Sequence, residues 1–114
     1  MTIKIKRVYE EPARTDGTRI LVDRIWPRGL SKEKAHVDLW FKEVAPSDEL
    51  RKWFGHDPAR WPEFRARYRA ELKHNRDQLG ALRQALERGP ATIVYGAKDK
   101  VHNQAIVLQE LLSH

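Results

Sequence analysis

Residues 19–25, RILVDRI, followed at once by residues 26–29, WPRG, decide the fold. The run Ile20-Leu21-Val22 is short, apolar and unbroken by polar alternation, which predicts a strand buried on both faces and ending near Asp23. No regular element continues through the next four residues. Pro27 pushes Trp26 into an extended conformation, and Gly29 permits a sharp turn. A second run of the same kind, ATIVY at 91–95, follows the breaker pair Gly89-Pro90. Residues 3–8, IKIKRV, alternate apolar and basic at period two and read as a half-exposed strand. Buried strands separated by helical sequence belong to a parallel sheet with right-handed crossovers. The expectation is an α/β fold: one compact domain over residues 1–114, a small, mainly parallel sheet with helices packed on it.

The intervening sequence supplies the helices. Residues 10–18 contain Pro12 and Asp16-Gly17 and read as a loop, and residues 31–35 make at most one helical turn capped by Ser31. Residues 37–45 read as a short strand or a packed loop. Ser47 ahead of Asp48-Glu49 predicts a helix over 48–54 that Gly55 ends, and Asp57-Pro58 opens the next element. Trp61, Phe64, Tyr68, Leu72, Leu79, Leu82 and Leu86 keep one apolar face across a long helical stretch. Pro62 belongs in its first turn. The weak segment HNRD at 74–77 and Gly80 predict two helices or one bent helix. Residues 103–112 form a terminal helix with Asn103 near its N-cap.

Composition bounds the function. The chain of 114 residues is 40% hydrophobic and 33% charged, and its four Trp, three Tyr and three Phe are too many large apolar groups to leave in water. It has no cysteine, which excludes disulfides, thiolate chemistry and Cys-ligated zinc. No apolar run reaches the roughly 18–20 residues of a membrane helix. The opening MTIKIKRVYEE resembles no signal or transit peptide, so a soluble cytoplasmic protein is expected. The net charge is +6, and 13 of the 22 basic residues are Arg, whose planar fork suits phosphate and carboxylate. The excess sits in residues 1–30 and 58–90.

In open α/β sheets, ligands bind outside the carboxyl ends of the strands. That rule selects Val8-Tyr9, then Asp23-Arg24 with the WPRG turn, then Tyr95-Gly96 through Lys98, Asp99, Lys100 and His102 to Asn103. Parallel strands would bring these segments to one rim. Asp23 and His102 are the acid/base candidates, since His titrates near working pH. Arg24, Trp26, Arg28, Gly29, Asp99 and Asn103 are the binding candidates, with Asp99 placed to orient His102 and the last helix offering backbone donors. Asp23 with Arg24 also reads as a structural ion pair, and Trp26 as core or pocket wall. His36-x-Asp38 and His56-Asp57 lack the spacing of a metal site, and terminal His114 is set aside; neither metal nor cofactor is expected. Arg60, Arg65, Arg67, Arg69, Lys73 and Arg76, interleaved with aromatics, read as a solvated helix face partly offset by Glu63 and Glu71, or as a nucleic-acid patch.

The segments RILVDRIWPRGLSK, DLWFKEVAPSDELRKWFGHDPARW, FRARYRAEL and TIVYGAKDKVHNQAIVL resemble the domain of unknown function 488 family, in its short YeaO-like branch, over nearly the whole chain. The resemblance implies an α/β fold and no established activity. Longer members carry Asp-x-Arg near the end of the second strand and Cys-His-Arg near the start of the final helix. Here the first corresponds to Asp23 with its Arg displaced to Arg24; the second keeps only His102, between Val101 and Asn103. The reading that emerges is a pocket for an anionic small molecule bearing phosphate or carboxylate, with hydrolysis or transfer as its natural chemistry. The alternatives are a non-catalytic nucleic-acid-binding module and a partner-binding protein using the basic helix. Oligomeric state is not legible.

Overall fold

The computed structural model describes residues 3–113; Met1, Thr2 and His114 lie outside the described residues. Strands β1 (Lys4–Arg7), β2 (Thr18–Leu21), β3 (Leu39–Trp40) and β4 (Ala91–Tyr95) form one parallel sheet in the order β1-β4-β2-β3. The last strand thus enters between the first two. Ile93 lies beside Ile5 and Ile20, and Val94 beside Leu21. Because side chains alternate along a strand, this register sends Ile20, Val22, Ile93 and Tyr95 to one face and Arg19, Leu21, Thr92 and Val94 to the other.

The two faces are covered unequally. On the first pack α2 (Asp48–Phe54), α3 (Trp61–Lys73), α4 (Arg76–Glu87) and α5 (Gln104–Leu112), through Phe54, Phe64, Tyr68, Leu82 and Leu108. On the second lie only the single turn α1 (Lys32–Ala35) and the segment carrying Trp26, Leu30 and Val37, over Val8, Leu21 and Val94. Coverage of both faces was expected, but one face has four helices and the other a turn and a loop.

Local chemistry sets the element ends. Ser47 Oγ accepts from Leu50 N at 3.2 Å, and Gly55 closes α2 in the left-handed region at φ 52°. Asp57 accepts from Ala59 N at 3.0 Å and starts a 3-10 turn over Pro58–Arg60, which runs into α3 with Pro62 in its first turn. The long helical stretch divides at His74-Asn75, where the Asn75 amide donates to Glu43 O at 2.7 Å. Gly80 does not break it and lies inside α4. The ambiguous residues 37–45 resolve into β3 and a 3-10 turn over Lys42–Val44. Gly17 is obligatory: its φ is 62°, and a Cβ there would stand 2.1 Å from Pro90 O, the acceptor that Thr18 N reaches at 2.9 Å.

Inside the apolar run, Arg19 is only 2% exposed. Its guanidinium donates to Asp16 at 2.8 Å, Ala35 O at 3.1 Å and Val8 O at 3.2 Å, while Lys6 reaches Asp16 at 3.2 Å. Arg19 therefore anchors the 10–18 loop, the α1 turn and the end of β1 to the thin face. Burial pushes the Asp16 carboxyl upward, but the Ala13 N–H, Arg19 and Lys6 outweigh it and hold its pKa below the ordinary value. A group depressed in the folded state stabilises above its unfolded pKa of 3.8 and loses that contribution as pH falls through its lower folded value. Arg19→Met leaves the Asp16 charge buried without its main partner. It is expected to cost about 3–5 kcal/mol, measured as a lowered urea midpoint at neutral pH. In the wild type the Asp16 contribution should disappear only below about pH 4.

Candidate functional site

All four strands run the same way, so their carboxyl ends share one edge, and a cleft of about 790 Å³ opens there. Asp23, Arg24, Trp26, Arg28, Asp99, His102 and Asn103 all line it. Gly29 does not. At φ 76° it turns the chain beyond the cleft, and a Cβ there would meet nothing within 4 Å.

Asp23 sits two residues past β2 and ties three elements together. Its Oδ2 accepts from Gly96 N at 2.9 Å, just beyond β4, and its Oδ1 accepts from Gln104 Nε2 at 2.5 Å, in the first turn of α5. Its carbonyl accepts from Trp40 Nε1 at 2.6 Å. Gly96 has to be glycine for this to happen, because a Cβ would lie 2.6 Å from Asp23 Oδ2. Burial raises the Asp23 pKa to about 6, against the opposing pull of its bonds from Gly96 and Gln104. The alternative reading of an Asp23–Arg24 ion pair does not hold, as both side chains are engaged elsewhere. Arg24 donates from Nε to Pro46 O and from Nη2 to Ala45 O, each at 3.0 Å. Two of its five N–H groups thus fix the far wall.

The β4–α5 loop is organised by Asp99. Its Oδ1 accepts from the backbone N–H of Val101 at 2.9 Å and of His102 at 3.0 Å, and its Oδ2 lies 2.8 Å from His102 Nδ1. The His102 bond, followed by those backbone bonds, holds the Asp99 pKa low. The imidazole also stands edge-on to Trp61, with 5.3 Å between centroids. Asn103 is 2% exposed, and its amide is consumed by the loop, capping Ile106 N at 3.1 Å and donating to Asp99 O at 2.9 Å. Trp26 is a wall that also belongs to the core. It packs into the thin-face cluster, donates to Leu30 O at 2.7 Å and meets Trp40 edge-on at 5.5 Å. Arg28 is exposed; its carbonyl is held by the Tyr9 hydroxyl at 2.8 Å, and its guanidinium forms no ion pair among the described residues.

Several lining residues were not picked out from the sequence. Gln104 completes the Asp23 bridge; Lys98, in the segment that the strand-end rule selects, adds an exposed cation. Arg51, Phe54 and His56 come from α2 and its end, and Phe64 from α3. The strand-end rule does not reach these helices, so only three-dimensional packing brings them in. His56 lies in the left-handed region at φ 58°, where non-glycine residues are uncommon. His56 and His36 join no group of three or more metal-ligating side chains among the described residues.

Three arginines of α3 are paired within the fold, with two carboxylates between them. Arg65 makes two bonds of 2.9 Å to Glu110 on α5, and Arg69 reaches the same carboxylate at 3.5 Å. Arg67 pairs with Glu63 and covers Trp53 at 4.5 Å. Glu71, expected to offset these arginines, instead accepts from Ser47 N at 2.9 Å and Ser47 Oγ at 2.6 Å at the start of α2. No helix of the described residues is long and apolar enough to cross a membrane.

With this geometry, residues 2–114 match the family model described as the inactive DUF488-N3 subclade. The chain belongs to this family. It is 43% identical over 111 residues to an uncharacterised protein of Mycobacterium tuberculosis, covering 97% of this chain and 93% of the relative. It is 42% identical over 112 residues to the uncharacterised protein YeaO of Escherichia coli, covering 98% and 97%. No solved structure matches the chain.

A carboxyl whose folded pKa is raised to about 6 opposes folding when ionised. Stability should therefore fall as pH rises from about 4 to about 6 and level off above that. Asp23→Asn keeps an acceptor for Gly96, and Gln104 can turn its amide to meet the new NH₂. This variant is expected to be more stable than wild type at pH 8 and to lose the slope between pH 4 and 6, as measured by denaturant unfolding across pH.

Proposed function

We propose that this protein binds a small organic anion, phosphate- or carboxylate-bearing, in the strand-end cleft, and binds it without turning it over. The observation that carries the reading is an imbalance of charge within one cleft. Arg24, Arg28, Arg51 and Lys98 line it against two carboxylates, Asp23 and Asp99, both of which are committed to internal hydrogen bonds. Apolar side chains, among them Trp26, Phe54 and Phe64, supply much of the remaining wall. Few polar groups on an apolar surface are the usual make-up of a small-molecule site, and the volume falls in the usual range.

Binding without turnover is supported by the family's description as inactive and by the residues at the α5 entrance. Val101 stands 64% exposed immediately before His102, and the chain has no cysteine to act as nucleophile. Asp23 and Asn103 shape the cleft in this reading. Arg28 and Lys98 attract the anion, and His102, oriented by Asp99, presents Nε2 as a hydrogen-bonding group. The nucleic-acid alternative is weakened at Arg65, Arg67 and Arg69, which pair with Glu63 and Glu110 in exposed bridges, and keeps Lys73 and Arg76, which form no ion pair among the described residues.

Thermal-shift measurements against inorganic phosphate, nucleotides and organic acids test the reading. A ligand at 100 times its Kd should stabilise the fold by about 2.7 kcal/mol. Arg28→Ala should leave the ligand-free midpoint unchanged, since the side chain is exposed, and should abolish most of the shift. Absence of any shift across the panel in folded protein overturns the pocket reading. Conversion of a bound ligand, followed by NMR over hours, overturns the statement that it is not turned over.

A further inference from the structure

Asp23 is a half-buried carboxylate in the lining of the cleft, and no cation pairs with it among the described residues. Its two side-chain partners are neutral, the Gly96 N–H at 2.9 Å and the Gln104 amide at 2.5 Å. The charged and titratable groups of the surrounding elements have other partners or none. Arg24, on the same segment, bonds to Ala45 O and Pro46 O. On α3, the Tyr68 hydroxyl donates to Val44 O, and Glu71 is held by Ser47. In the β4–α5 loop, Asp99 and His102 hold each other. From α2 and its end, Arg51 pairs with Asp48, and His56 lines the cleft. β3 contributes the neutral Trp40.

The cations that would draw an anion in belong to residues beside this carboxylate. A Cβ at Gly96 would stand 2.6 Å from Asp23 Oδ2 and 3.8 Å from Pro27 Cβ, so Asp23, Gly96 and Pro27 meet at one point. Arg28 directly follows Pro27, and Lys98 lies two residues beyond Gly96. An anion attracted by Arg28 and Lys98 therefore comes up against the Asp23 charge. Like charges repel over about a Debye length, ~8 Å at physiological ionic strength, and a half-buried charge is screened less.

The site has a means of removing that charge. The 2.5 Å between Asp23 Oδ1 and the Gln104 side chain is shorter than the usual N–H···O range and lies within that of O–H···O. The oxygen and nitrogen of a Gln amide are told apart only by the partners they meet. Turned over, Gln104 presents Oε1 as the acceptor for a proton on Oδ1, while Oδ2 still accepts from Gly96 N. Protonation thus keeps the bridge between β2, β4 and α5 and cancels the charge. Burial already raises the Asp23 pKa to about 6, and a second negative charge in the cleft raises it further. Asp99 is unsuited to this role, because His102 and two backbone N–H groups hold its pKa low.

Resting on the anion-binding reading above, we propose that the cleft takes up its anion together with one proton from solvent, held between Asp23 Oδ1 and Gln104 Oε1. The cleft is then a site for an anion plus H⁺. Affinity is greatest where Asp23 is protonated before the ligand arrives, falls as pH rises through about 6, and levels off above the higher midpoint of the complex.

The test uses the full chain with benzoate and dimethyl phosphate, a carboxylate and a phosphate whose single charges stay constant between about pH 5 and pH 8. The Asp23 carboxyl carbon is followed by NMR across that range, with and without saturating probe. Its midpoint is expected to move up by about one pH unit or more with at least one probe. The Kd of that probe should weaken about tenfold from pH 5 to pH 8, the same coupling read from the ligand. An imidazole also titrates in this window, so two variants separate the groups. His102→Gln should retain the fall in affinity, and Asp23→Asn should lose it. A fall that persists in Asp23→Asn and vanishes in His102→Gln places the proton on the imidazole and refutes the proposal. If Asp23→Asn fails to fold, the carboxyl midpoint of the wild type decides. Should the Gly96 and Lys98 amides shift and saturate while that midpoint stays still, proton uptake is refuted and the anion-binding cleft survives. Silence at every cleft signal with both probes across the range refutes the proposal and the reading it rests on.

Discussion

One carboxylate holds the working edge of this molecule together. The side-chain oxygens of Asp23 join the end of β2 to the residue after β4 and to the first turn of α5. In a parallel sheet these three ends have no backbone ladder between them, because the strands have already stopped. Something else must fix their separation, and a charged acceptor with two neutral donors does so in a half-buried setting. The constraint extends to sequence at two other positions. Residue 96 has to be glycine for the carboxylate to approach, and residue 104 has to carry a donor long enough to reach back. The arrangement is costly, since burial lifts the Asp23 pKa to about 6. A neutral amide offers these two donors a single oxygen and can meet Gln104 only if that amide turns, so the carboxylate is the group that accepts from both as they stand.

The distribution of the positive charge tells a related story. A net charge of +6 on so small a chain suggests a surface that attracts polyanions. That figure already subtracts every Asp and Glu, so ion pairing decides where the basic side chains are held and leaves the total unchanged. Arg19 and Lys6 serve the buried Asp16, Arg65 and Arg69 share Glu110, and Arg67 takes Glu63 and the face of Trp53. The cleft is different. Its acidic side chains are tied to backbone and neutral partners, or to a histidine, while Arg28 and Lys98 form no ion pair among the described residues. The same formal charge is thus held in ion pairs on α3 and left outside them at the strand ends. Only the pairing distinguishes them.

That distinction also marks how far the sequence could be read. Ile20-Leu21-Val22 and Ile93-Val94 identified the central strands because an unbroken apolar run has few other uses. The strand-end rule then collected Asp23, Arg28, Asp99 and His102 into one cleft without any knowledge of pairing. The capping residues Ser31, Ser47, Asp57 and Asn103 were legible because a side-chain acceptor beside a helical run has a local purpose. What stayed hidden depended on long-range contacts. Arg19 was read as one more member of a strand, since nothing local announces that its fork will find Asp16, Val8 and Ala35. Glu71 was paired by helical spacing with arginines on its own helix, but tertiary packing sends it to Ser47. Arg51 and Gln104 enter the cleft only because α2 and α5 dock on the sheet, and no period or motif carries that information.

The entrance to α5 shows how an imidazole is held in place. Asp99 grips the backbone of Val101 and His102 and fixes the imidazole through Nδ1, an arrangement that also orients histidines in acid/base catalysis. Geometry alone would therefore allow chemistry here. A histidine so oriented still needs a nucleophile or a water held against the reacting atom. The preceding residue offers neither, because Val101 projects an apolar side chain that is 64% exposed. The neighbouring carboxylate, Asp23, is turned into a structural bridge between Gly96 and Gln104. The loop thus keeps the scaffold that positions an imidazole while the groups around it serve to hold shape. Under the anion-binding proposal, an oriented imidazole, exposed cations and an apolar wall are the groups that would do the recognising.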